Sequence, residues 1–153
     1  MITVDDVITS SGKYPERAQF ATMQIRVNAQ ALVEKVNRLL TSYQNGRPIA
    51  DEPALSSGFR PPAVNAATPG ASETSWHLSG NAVDIEDPAG NLALFCALEV
   101  SLLEHFGLYL EDPRWTRKGK QKDGSWSARW VHLQVKAPPS GRRVFRPAGP
   151  EPR

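Results

Sequence analysis

Cysteine is nearly missing from this chain: Cys96 is the single one in 153 residues. One thiol closes no internal disulfide, so the fold must rest on an ordinary hydrophobic core. The apolar run Leu92-Ala93-Leu94-Phe95-Cys96-Ala97-Leu98 places Cys96 as a small buried hydrophobe, a poor nucleophile or metal ligand. Net charge is slight as well, +2 at neutral pH, and demands no nucleic-acid partner. No apolar run approaches the roughly 20 residues of a membrane-crossing helix, so no membrane span is expected. Met1-Ile2-Thr3-Val4-Asp5-Asp6 lacks the basic start and apolar stretch of an export signal, so no signal peptide and synthesis in the cytoplasm are expected. Histidine is scarce too, with three residues.

What is present suffices for one domain, with 40% hydrophobic and 22% charged residues, an ordinary composition for a chain with a single core. Val4-Asp5-Asp6-Val7-Ile8 forms a short N-terminal segment that ends in a turn near Ser10-Ser11-Gly12. Ile25, Ala29, Leu32, Val33, Val36, Leu39 and Leu40 recur at three- and four-residue steps, which predicts a helix from about Thr22 to Ser42 with Asn45-Gly46 as its stop. A second helix is predicted from about Asn91 to Phe106, apolar on nearly all sides and therefore buried against a sheet. His105, near its end and just before Gly107, reads as a cap. The stretch from Arg60 to Thr74 reads as a loop, as does Lys118 to Gly124. Residues 1–146 are expected to form one domain and 147–153 a flexible tail rich in proline and glycine, with Val144 and Phe145 docking on the sheet.

The chemistry gathers around two of the histidines. His77 lies in Ser75-Trp76-His77-Leu78-Ser79-Gly80-Asn81-Ala82-Val83-Asp84, ahead of a flexible Ser79-Gly80 turn. Beyond the turn Ala82 to Glu86 alternates as a half-buried strand, with Val83 and Ile85 on one face and Ala82, Asp84 and Glu86 on the other. A turn followed by a strand is able to bring Asp84 back beside His77. Trp130 to Val135 alternates likewise, sending Val131, Leu133 and Val135 to an apolar layer and Trp130, His132 and Gln134 to the opposite face. If the strands pair, His132 completes a cluster. Two imidazole nitrogens and a carboxylate oxygen suit Zn²⁺, and three protein ligands leave a coordination position open, as catalytic sites do. Singly, each residue also has a plain structural role as turn cap, loop hydrogen-bonder or strand residue.

These blocks resemble the zinc D-alanyl-D-alanine metallopeptidases. The resemblance is carried by Ser-x-His-x-x-Gly-x-Ala-x-Asp at Ser75 to Asp84 and by Trp-Val-His at Trp130 to His132. Upstream, Ser57-Gly58-Phe59-Arg60-Pro61-Pro62-Ala63-Val64-Asn65 is similar to the Ser-Gly-Tyr-Arg-x-Pro segment of the same group. The group includes carboxypeptidases, dipeptidases and phage L-alanyl-D-glutamate endolysins, and shares its fold with the hedgehog signalling domain. The resemblance implies zinc held by His77, Asp84 and His132, peptidoglycan stem peptides as substrate, and Arg60 as the residue that holds substrate carboxylate or carbonyl groups. Ser75 bonds either the ligand loop or the substrate.

One position departs from the pattern. Where the family commonly carries an acid three residues before the last zinc-binding histidine, this chain has Arg129, and a cation takes no proton from water. Glu111 and Asp112, ending Gly107-Leu108-Tyr109-Leu110-Glu111-Asp112, are the candidate catalytic acids, with Glu111 preferred because Asp112 precedes Pro113 and starts a turn. Asp123 is a further option. The expected fold is α+β, a small mainly antiparallel sheet with helices packed on one face, hedgehog or D-Ala-D-Ala metallopeptidase-like. The expected function is a zinc peptidase acting on stem peptides, possibility of phage or prophage origin included, reaching the cell wall after release or virion delivery. The alternatives are a catalytically inactive zinc-binding wall protein and a hedgehog-like interaction domain. Arg142, Arg143 and Arg146 either solvate the tail or attract anionic wall polymers or nucleic acid. Oligomeric state stays open.

Overall fold

A computed structural model describes residues 1–45 and 53–152; Gly46 of the expected helix stop lies outside the described residues. The chain begins with helix α1 (Val4–Thr9), where Thr3 and Asp6 form a reciprocal capping box. It then turns through Ser10, Ser11 and Gly12, all at positive φ. A 3₁₀ turn (Pro15–Phe20) leads to the long helix α2 (Met23–Gln44), capped by the Thr22 hydroxyl, which accepts from the Ile25 amide. Its buried residues Ala29, Leu32, Val33, Val36, Leu39 and Leu40 are those the spacing picked out, with Ile25 partly buried beside them.

Among the described residues six strands follow: β1 (Leu55–Ser57), β2 (Ala82–Glu86), β3 (Tyr109–Glu111), β4 (Arg117–Lys120), β5 (Trp126–Gln134) and β6 (Val144–Phe145). The sheet runs β1-β2-β5-β3-β6, and β4 pairs with the first half of β5. Every pairing is antiparallel except β3 with β6. The architecture is therefore α+β with a mainly antiparallel sheet, as expected. Period-two alternation sends Leu55, Val83, Ile85, Leu110, Val131 and Leu133 into one core with the helices, all at most 1% exposed. The other face of β2 and β5 carries Asp84 and His132.

The second expected helix is two. Helix α4 (Asn91–Leu98) and helix α5 (Val100–Phe106) meet at Glu99, whose φ of −101° and ψ of 49° break the run. In one continuous helix Leu92, Cys96, Glu99 and Leu103 would share a buried stripe, and a carboxylate would enter the core. The break lets Leu92, Cys96 and Leu103 bury while Glu99 stays exposed. The run does bury against the core through Leu92, Ala93, Cys96 and Leu103, but its apolar character does not mean burial all round, since Leu94 and Leu98 are 59% and 73% exposed. Two further differences are local. Pro62–Ala67, expected as loop, forms the short helix α3 with proline in its first turn, and part of the expected loop from Lys118 is strand β4.

The tail, expected to be flexible, makes contacts in this structure: Trp115 donates from its indole to the Gly149 carbonyl at 3.3 Å, and Arg117 pairs with Glu151 at 2.6 Å.

Candidate metal centre

His77 sits in a 3₁₀ turn (Trp76–Ser79) that starts at Ser75, whose hydroxyl accepts from the His77 amide, and ends at Gly80 in the left-handed region. Gly80 is required there twice over, because its φ is +72° and a Cβ would stand 2.8 Å from the Ile25 carbonyl oxygen of α2. Asn28 of α2 donates to the Ser79 carbonyl at 2.8 Å and holds the turn from the same side. The chain then reverses into β2, where Asp84 faces His132 of β5 as a cross-strand pair.

Three donor atoms converge. His77 Nε2 lies 3.3 Å from Asp84 Oδ2 and 3.3 Å from His132 Nδ1, and His132 Nδ1 lies 2.8 Å from Asp84 Oδ1. Tetrahedral zinc with bonds of about 2.0 Å would hold its ligand atoms about 3.3 Å apart, so both the donor set and its spacing fit that ion. The outward nitrogens of both rings are already engaged. His77 Nδ1 meets the Gly58 carbonyl at 2.7 Å, and His132 Nε2 meets Gln134 Oε1 at 3.1 Å. Each acceptor favours a proton on that nitrogen, so in the neutral rings the other nitrogen, His77 Nε2 and His132 Nδ1, is the one turned towards Asp84 and the candidate metal position. Gln134 is itself fixed, donating to the Lys136 carbonyl at 2.6 Å.

Burial opposes charge at all three residues, and they respond differently. The Asp84 carboxyl is held well below its ordinary range because the charges and hydrogen bonds of both imidazoles outweigh desolvation. Desolvation wins at His77 and pulls its value down, whereas at His132 the Asp84 hydrogen bond and charge prevail and raise it.

Arg60 lies beside this cluster. Its amide donates to the His77 carbonyl at 3.0 Å, and its Nη2 donates to the Ser75 hydroxyl at 3.0 Å. Ser75 thus holds the ligand turn and the guanidinium together. Arg60 Nε is buried without a partner, and burial lowers the guanidinium's pKa despite the nearby Asp84. An unpaired buried N–H of a cation is a ready donor to a ligand carbonyl or carboxylate.

The two candidate acids part company. Glu111 ends β3, which runs antiparallel to β5 as the sequence suggested. Burial raises its pKa, and its carboxyl is close enough to His132, Asp84 and Arg60 for each to bear on its ionisation. Asp112 accepts from Arg114 at 2.7 and 3.0 Å and lies 3.7 Å from Arg146. These bonds hold its carboxyl below the ordinary range. Asp123 is bound up in the β4–β5 turn, accepting from the Ser125 amide and hydroxyl. Arg129 alternates with His132 onto the other face of the sheet, where its guanidinium lies so close to Gly90, the residue before α4, that a Cβ there would meet Cζ at 2.5 Å. His105 lies in the last turn of α5 and outside the cluster.

Two contributors went unnoticed in the sequence. Gly58 acts through its carbonyl and left no side-chain signal. Gln134 was visible as a polar residue on the His132 face, two positions on, which is the one spacing on a strand that permits such a bond.

An α+β domain that carries two histidines and a carboxylate at one point of its sheet, with a buried arginine alongside, has the layout of a metal-dependent hydrolase. The particular family follows from comparison: the family model described as Peptidase M15 matches residues 3–113. The chain belongs to that family, whose members are in general zinc-dependent and act on peptidoglycan. The matched segment contains Arg60, Ser75, His77, Asp84, Glu111 and Asp112 and stops before His132. No curated protein and no solved structure matches the chain.

Proposed function

We propose that the protein is a zinc peptidase that hydrolyses peptidoglycan stem peptides, as a D-Ala-D-Ala carboxypeptidase or an L-Ala-D-Glu endopeptidase. The observation that carries this reading is the convergence of His77 Nε2, Asp84 and His132 Nδ1 at zinc-ligand spacing, each ring oriented by a bond to its other nitrogen. Bound there, zinc would polarise a peptide carbonyl and make water nucleophilic near neutral pH. The Glu111 carboxylate takes the proton of the attacking water and returns it to the departing amine nitrogen, so that the C–N bond breaks with a neutral leaving group. Arg60, with its unpaired Nε, binds a carboxylate or carbonyl of the peptide and sets the scissile bond in place. Arg129 has no part in this chemistry. The same reading places the enzyme at the cell wall, reached by release or delivery in a virion, as a phage or prophage product.

The test is mass spectrometry of purified peptidoglycan incubated with zinc-loaded protein, with and without a chelator. New peptide ends that vanish with chelator are expected and identify the bond. Glu111→Gln should lower kcat by about 10²–10⁴-fold with zinc retained, and Asp112→Asn should leave it within a few-fold. No cleavage across several wall types would refute the peptidase and leave an inactive wall-binding protein; equal losses in both variants would refute the choice of Glu111.

A further inference from the structure

Charge is sharply segregated along this chain. Residues 114–146 hold ten of its 18 lysines and arginines and one of its 16 acids, Asp123, whereas residues 1–113 hold seven cations and fourteen acids. A net of +9 therefore adjoins a net of −7, hidden within the modest total of +2.

The fold brings several of these cations together, although Arg129 lies apart beside Gly90. Arg114 and Arg146, 32 positions apart, both lie over the Trp115 ring, at 5.3 and 5.5 Å from its centroid. Arg117 and Lys120 lie 4.5 and 5.9 Å from the Trp126 ring. The contacts of Trp115 with Gly149 and of Arg117 with Glu151 run the C-terminal segment alongside the β4–β5 ribbon, so its arginines join those of the strands. Lys118, Lys120, Lys122, Arg142 and Arg146 are exposed. Asp112, between Arg114 and Arg146, ties this surface to the end of β3, one residue from Glu111.

We propose that this face binds a polyol-phosphodiester polymer of the bacterial wall and so holds the metal cluster against the same wall; the choice of the wall as its setting rests on the function proposed above. The cations are spread over two segments rather than aimed at a point, which suits a chain of repeated phosphates better than a single anion. Lysines on an edge strand also guard against sheet-to-sheet pairing, but that need covers only β4. It does not account for Arg142 and Arg146, nor for a single acid in 33 residues. A bilayer is disfavoured because none of the large exposed apolar residues lies within 114–146, leaving nothing to insert among lipid tails. Nucleic-acid bases are disfavoured because Trp115 and Trp126 are covered by cations rather than open for stacking.

The experiment is co-sedimentation of the zinc-loaded protein with wall fragments bearing the phosphodiester polymer and with the same fragments stripped of it by hydrofluoric acid, at low and high salt. Binding to the bearing fragments should be at least about tenfold tighter and should weaken as salt rises. Lys118→Gln, Lys120→Gln and Lys122→Gln combined should lose about that tenfold while keeping zinc content and melting temperature, since all three side chains are exposed. Equal binding to stripped fragments overturns the proposal, as does a folded triple variant that binds like the parent. Duplex DNA that displaces the protein more effectively than isolated wall polymer overturns it in favour of nucleic acid. Stem-peptide release from stripped fragments reports on the peptidase alone: release without polymer binding sinks this proposal and spares the function above, and binding without release does the reverse.

Discussion

Gln134 acts on the metal cluster at one remove. Its amide oxygen meets His132 Nε2 and its nitrogen is anchored on the Lys136 carbonyl, so the ring is held in one orientation and the tautomer with its proton on Nε2 is favoured. Gln134→Leu should weaken zinc binding by about 10–100-fold, measured by competition with a chromogenic chelator, and Gln134→Glu, which keeps an acceptor, should recover most of it. Equal affinity in the leucine variant would show that His132 is oriented by packing alone. Cys96 offers a contrast, a residue whose chemistry the fold suppresses. Burial, with the Asp87 charge adding, pushes its thiol up to about 12. Native protein at about pH 8, near the ordinary thiol value, should therefore stay unlabelled by iodoacetamide while unfolded protein is labelled, as read by mass spectrometry; rapid native labelling would mean that α4 opens.

Strand β5 is the element on which the site depends, because its even positions present His132 and Gln134 to the cluster while Val131 and Leu133 anchor it in the core. Such a pattern is legible in sequence: alternation assigns faces, and only one register of β2 against β5 puts Asp84 opposite His132. The long helix was equally legible from its apolar steps. The broken second helix was not, because a run such as Asn91 to Phe106 is apolar enough to satisfy many faces, and the cost of burying Glu99 appears only once the core's position is known. The placement of Arg129 beside Gly90 was likewise not legible, since counting three residues back from His132 says nothing about which side of a strand the side chain takes. Gly58 shows how closely α1 is fitted beneath the site. A Cβ there would stand 2.0 Å from the Val7 carbonyl oxygen, and the Gly58 carbonyl orients His77. Gly58→Ala should destabilise the protein by about 1–3 kcal/mol and weaken zinc binding along with it. A lower melting temperature with unchanged zinc affinity would uncouple α1 from the cluster.

Across the whole molecule, residues 1–113 and the basic stretch 114–146 carry opposite net charge, and Asp112 lies at their boundary, bonded to Arg114 and 3.7 Å from Arg146. Hydrogen bonds from Arg114, with the Arg146 charge adding, hold its carboxyl below the ordinary range. As pH falls the unfolded chain therefore takes up this proton first. The stabilisation is complete above the ordinary carboxylate value, about 4, and is lost as pH drops through the depressed native value. Asp112→Asn should lower the melting temperature at neutral pH, and the gap to the parent should close as pH falls through the depressed native value. A gap that persists in acid would mean that the side chain's packing, rather than its charge, matters.

Asp84 and His77 come from the middle of the chain, but His132, the third candidate ligand, lies on β5, which follows both β2 and β3 in sequence and lies between them in the sheet. While the polypeptide is still being synthesised, the first two ligands are made and waiting, with no third to close on an ion. The candidate centre is thus completed only by the last third of the chain, and a polypeptide that stops short of β5 has two of the three candidate ligands and nothing to close on an ion.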